Sequence, residues 1–139
     1  MLKCAITHPE LLRALAAAGH GSNIVIADGN FPADIGVPER CAKVFLNYRP
    51  DAPKVPEVLE AVLKMINVEA AMAPVRDDME DVPVFPEFRA LLPEGIKLKK
   101  IKRWDFRAAC MSPETGLLIQ TGDIRPYACI VLTVGVRTE

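Results

Sequence analysis

The sequence predicts an α/β fold: one layered domain over residues 1–139, with a mainly parallel sheet flanked by helices. Three observations predict it. Apolar runs at helical spacing alternate with short β-branched runs, the pattern of strands linked by helices. The chain holds 12 prolines and 8 glycines among 139 residues, so short elements are joined by ordered turns. Half of the residues are apolar and 25% are charged, enough apolar surface to offset ordering entropy and exclude disorder as the main state. No repeat, low-complexity stretch or linker interrupts the chain.

The elements follow in order. Thr7 and Glu10 have the spacing of a capping box, with Pro9 in the first turn. Leu11, Leu12 and Leu15, with Ala14 and Ala18, then form one helical stripe, and Gly19 stands where a left-handed C-terminal cap would sit. Asn23–Asp28 reads as a buried strand ending in an acid. Residues 29–41 carry Gly29, Pro32, Gly36 and Pro38 and read as a loop. Lys43–Leu46 is a short strand, and Pro50 and Pro53 mark another loop. Pro56–Ile66 repeats Val58, Leu59, Val62, Leu63 and Ile66 on one helical face, opposite Glu57, Glu60 and Lys64. Asn67–Ala73 is a strand closed by Pro74, and 76–83 is an acidic loop. Phe85–Leu92 is a helix stopped by Pro93 and Gly95, Ile96–Ile101 a strand, and Arg103–Met111 a helix. Gly116–Thr121 and Tyr127–Val134 are the last strands, joined by the turn Gly122–Pro126. In Lys97–Arg103 five of seven residues are basic, which suits an edge strand protected against pairing.

Composition excludes several function classes. Lys+Arg is 17 and Asp+Glu 18, a net charge of −1, so no global attraction to nucleic acid or anionic membrane exists. Aromatics are 6%, too few for base-stacking platforms. No apolar window approaches the ~20 residues of a membrane span, and the start lacks a signal-peptide core, so a cytoplasmic protein is expected. Cys4, Cys41, Cys110 and Cys129 form no CxxC pair and read as reduced, buried thiols. Neither histidine stands at ligand spacing from them, so no metal centre is expected.

Two groups of residues could carry chemistry. His20, in Gly19-His20-Gly21, and Asp28, at a strand tip, would supply an imidazole able to move protons and a carboxylate where α/β sheets place ligands. A solvated loop histidine and a capping aspartate is the plainer alternative. Asp123, Arg125 and Tyr127 lie in the turn before the last strand, where Tyr127 offers a hydroxyl and a flat apolar face; a plain turn with a half-buried tyrosine is the alternative. His8 reads as an exposed residue at a helix start.

Pro9-Glu10-Leu11-Leu12, Gly19-His20-Gly21 and Asp28-Gly29-Asn30-Phe31-Pro32-Ala33 resemble the opening of the L-fucose mutarotase and D-ribose pyranase family (RbsD/FucU). Thr121-Gly122-Asp123 and Pro126-Tyr127-Ala128-Cys129-Ile130-Val131-Leu132 resemble its close, and the HG…D…FPA pattern favours the fucose branch. The resemblance implies an enzyme that interconverts anomers or ring forms of a free monosaccharide without cofactor or metal. It implies ring-like homo-oligomers with sites near subunit interfaces. It assigns the proton-donating role to His20 and substrate binding to Asp28, Arg103, Tyr127, Ala128 and Cys129. The chain departs from the pattern at Cys129, where the family usually has asparagine, and at Asn30, where the fucose branch has histidine. A thiol is a weak donor and acceptor, so a different sugar, weakened catalysis, or a non-catalytic sugar-binding protein on the same scaffold are the competing expectations. A metal-dependent enzyme using His8, His20 and Asp28 is a thinner one.

Overall fold

Helices and strands alternate through the computed structural model, which describes residues 1–139. In chain order they are α1 (Pro9–Ala17), β1 (Asn23–Ala27), β2 (Ala42–Phe45), α2 (Val55–Leu63), β3 (Val68–Val75), α3 (Phe85–Leu91), β4 (Leu98–Lys102), α4 (Arg103–Cys110), β5 (Thr115–Gln120) and β6 (Ile130–Val134). The strands form one sheet in the order β2-β5-β1-β6-β3-β4. β1 and β2 both run parallel to β5, and β3 runs parallel to β4. β6 runs antiparallel to both β1 and β3. The sheet is therefore mixed, with one reversed strand at its centre. The reversal has a simple cause: residues 121–129 fall short of the dozen or so that a parallel crossover needs.

Strand alternation divides the core. On β1, Ile24 and Ile26 face one side while Val25 and Ala27 face the other; Leu117 and Ile119 of β5 oppose Leu118 in the same way. The larger side is covered by α1, α2 and α3, with Leu59, Phe85 and Phe88 fully buried. The smaller side is covered by α4, through Phe106 and Cys110, and by the loop carrying Phe31, Val37 and Cys41. No helix is long and apolar enough to cross a membrane.

Local details correct the sequence expectations. The N-cap of α1 is His8, not Thr7: its Nδ1 accepts from Leu11 N–H at 3.3 Å. Its C-cap is Ala18 in extended conformation, and Gly21, not Gly19, takes the left-handed turn with φ 82°. β3 continues through Pro74, which pairs with Ile101 of β4. Its ladder with β6 stops at Met72, so that edge is free where the proline lacks its N–H. α2 begins at Val55 and β6 at Ile130, so Tyr127 belongs to the preceding turn. β4 is an edge strand, as its lysines suggest. Cys41, Cys110 and Cys129 are buried thiols, but Cys4 is exposed.

Candidate functional site

The chain leaves β1 through Asp28, which is 5% exposed. One side chain and one backbone N–H hold its carboxyl. Oδ1 accepts from Asn30 N–H at 2.9 Å, and Oδ2 accepts from the Cys129 thiol at 3.3 Å. The same sulfur accepts from Asp28 N–H at 3.3 Å. Burial pushes the Asp28 carboxyl above its ordinary range, and these hydrogen bonds only partly offset that. Burial, followed by the neighbouring Asp28 charge, pushes the Cys129 thiol well up, so it stays protonated. Gln120, at the end of β5, fixes the next turn by donating to Phe31 O at 2.8 Å.

The second wall is the turn after β5. Asp123 is fully buried and accepts from Val55 N–H at the start of α2, at 3.1 Å, and from the Arg125 guanidinium at 2.8 and 3.0 Å. Burial raises its carboxyl, but the hydrogen bonds from Arg125 and Val55 outweigh that and hold it below the usual carboxylate range. Arg125 also reaches Glu87 of α3 at 2.6 Å. Asp123 and Arg125 are therefore the bracket of the turn rather than part of its open surface. The bracket delivers Tyr127 at φ 64°, a left-handed conformation that costs a non-glycine residue about 1–2 kcal/mol.

The third wall is α4, which follows β4 without a loop. Arg103, Phe106 and Arg107 recur at the three- and four-residue spacing of one helical face. The guanidinium of Arg103 lies 4.8 Å from the Trp104 ring centroid, and that of Arg107 lies 5.6 Å from the Phe31 ring centroid. Together the walls enclose a cavity of about 310 Å³, at the lower end of small-molecule pockets. Asp28, Arg103, Tyr127 and Cys129 all line it.

Two expected residues stand elsewhere. Ala128 is fully buried and packs into the larger core rather than into the cavity. His20 precedes β1, whereas Asp28 follows it; the strand between Asn23 and Ala27 spans roughly 13 Å. His20 Nε2 lies 3.0 Å from Glu69 Oε2, and both side chains are largely exposed, at 58% and 46%. Within one chain the imidazole and the carboxylate thus lie at opposite ends of the sheet.

Sequence reasoning missed Phe31, Phe106, Arg107, Pro74 and Pro126 as lining residues. Arg107 had a signal: it follows Arg103 by one helical turn. Pro74 had none, because it read as a strand terminator.

Residues 1–137 match the model of the RbsD / FucU transport protein family. The chain is 34% identical over 142 residues to the D-ribose pyranase of Variovorax paradoxus (strain S110), covering 98% of each. It is also 34% identical over 145 residues to the human fucose mutarotase, covering 95% of this chain and 90% of the relative. Its fold superposes on Bacillus subtilis RbsD complexed with D-ribose at a TM-score of 0.84 and 25% identity, over 99% of both chains. With six strands and four helices arranged as in that structure, and a family match over almost its whole length, the chain belongs to the RbsD / FucU family.

Proposed function

We propose that this chain is a monosaccharide mutarotase, interconverting anomers of a free sugar by acid–base ring opening and reclosure. The observation that carries the reading is the cavity lined by Asp28, Arg103, Tyr127 and Cys129. The relatives' names, D-ribose pyranase and fucose mutarotase, support the reaction class. They stand at equal identity, so L-fucose and D-ribose are both candidate substrates, the latter with pyranose–furanose interconversion.

The chemistry is modest. The anomeric hydroxyl loses a proton, the ring oxygen gains one, and the C1–O5 bond opens. The aldehyde turns and recloses, returning both protons. No electrons are transferred. A group that holds and releases a proton near neutrality suffices, and such general acid–base catalysis contributes about 10²–10⁴-fold. In this reading Asp28 and Tyr127 bind sugar hydroxyls, Arg103 orients the ring, and Cys129 holds the Asp28 carboxyl from behind.

His20 is the proton shuttle in this proposal, and it acts on the cavity of a second copy in a ring-like homo-oligomer. Its exposure and its separation from Asp28 along β1 support an intersubunit arrangement. Saturation-transfer NMR on ribose, fucose and galactose tests the activity. The wild type should accelerate exchange, while His20→Ala and Asp28→Asn should each lose it. Mixed and reassembled, the two variants should recover part of the rate, because some sites then combine an intact His20 with an intact Asp28. Full activity of His20→Ala, or no recovery on mixing, would sink the shared site. Sugar binding by the wild type with no acceleration of exchange would favour a non-catalytic binding protein.

A further inference from the structure

The cavity holds more positive charge than a neutral sugar requires. Arg103 and Arg107 line it one helical turn apart, and Arg76 stands 5.9 Å from the centroid of Tyr127, another lining residue. None of these three arginines makes an ion pair or a side-chain hydrogen bond within the chain; the guanidinium groups that do are those of Arg49, Arg89, Arg125 and Arg137. Arg89 and Arg125 behave differently. Arg89 holds both oxygens of Asp81, and Arg125 bridges Asp123 and Glu87. Several exposed arginines elsewhere are also unpaired, so what marks the cavity is that two unpaired guanidinium groups line it together, one helical turn apart.

The way they are held has a consequence. Arg103 lies against Trp104 and Arg107 against Phe31. Packing against a ring restrains a guanidinium without using its N–H donors, which lie in the guanidinium plane. The Nε of Arg107 is buried and has no partner, which is costly for a charged donor unless a ligand satisfies it. Asp28, the one acidic residue lining the cavity, is already engaged by Asn30 N–H and the Cys129 thiol.

We propose that the cavity accepts a reducing sugar bearing an anionic group, a carboxylate or a phosphate, clamped by Arg103 and Arg107. The inference rests on the mutarotase reading for the reaction but not for the anion preference. An anion with two or three oxygens matches the fork of a guanidinium. Arg76, beside Tyr127, adds long-range attraction.

Locked glycosides separate the two claims, because they cannot mutarotate. Titration calorimetry would compare the methyl glycosides of galacturonate and galactose. Methyl ribofuranoside 5-phosphate and methyl ribofuranoside form a second locked pair, which distinguishes a phosphate from a carboxylate. At least one acidic ligand should bind about tenfold or more tighter than its neutral counterpart at low salt. The preference should shrink as ionic strength rises. It should also collapse in Arg107→Met and in Arg103→Met; the latter is an exposed position where folding is not at stake. Anomer exchange, measured on the free acidic sugar, reports separately on catalysis. Equal affinity for acidic and neutral members of both pairs would overturn the proposal, as would a preference that survives in the double variant.

Discussion

Asp123→Asn tests whether the turn that presents Tyr127 is held by one buried charge. The Asp123 carboxylate accepts four hydrogen bonds, from Val55 N–H and from the backbone N–H, Nε and Nη2 of Arg125, at 2.8–3.1 Å. An amide keeps one acceptor oxygen and turns an N–H₂ group toward donors. Breaking a buried pair typically costs about 3–5 kcal/mol. Arg125 retains Glu87 and is 27% exposed, which puts the loss near the lower end, at about 3 kcal/mol. At roughly 4 °C per kcal/mol for a domain of this size, Tm should fall by about 12 °C. The pH dependence gives a second reading. The folded carboxyl titrates below its ordinary range, so its stabilisation is complete above pH ~4 and disappears as the pH falls through the lower folded value. Melting curves followed by circular dichroism from pH 2 to 8 should therefore converge for wild type and variant at the acid end. A Tm change under about 3 °C at pH 7, or curves that stay parallel throughout, would refute the bracket.

Two further perturbations follow from the same geometry. Burial raises the Asp28 carboxyl, so its contribution to stability is present below the ordinary carboxylate range and is lost as the pH rises through the folded value. Asp28→Asn should then melt higher than wild type at pH 8, by about 1 kcal/mol or a few degrees, with the difference vanishing toward pH 3 while sugar exchange is lost; a lower Tm at pH 8 would contradict this. Gly122→Ala directs its Cβ at the backbone of the 47–53 loop, against Arg49 O and 2.8 Å from Ala52 O, and should cost about 3 kcal/mol or more or yield no soluble protein. Gly116→Ala meets nothing within 4 Å and should change Tm little, and equal effects of the two substitutions would contradict the packing.

Which parts of this molecule were legible in the sequence follows from what each signal measures. Apolar period distinguishes helix from strand, and so every element appears near its expected place. It carries no direction, because Ile130–Val134 reads as apolar whichever way it runs, and the reversed β6 could not be read from it. Pro74 looked like a stop because sequence does not reveal that one side of β3 is unpaired there. The cavity itself was half legible: Asp28, Tyr127 and Cys129 fall at strand ends at one end of the sheet and Arg107 follows Arg103 by one helical turn, whereas Pro74 carries no such signal. His20 is the instructive case. It precedes Asp28 by eight positions, and nearness in sequence suggested convergence. Between them runs β1, an extended segment that puts the residue just before it and the residue just after it at opposite ends of the sheet. In a symmetric assembly each copy can offer one edge and receive another, so groups serving one reaction need not converge within a chain. An exposed imidazole at one end of a central strand and a cavity lined by no histidine at the other are thus the trace that a shared site would leave in a single subunit.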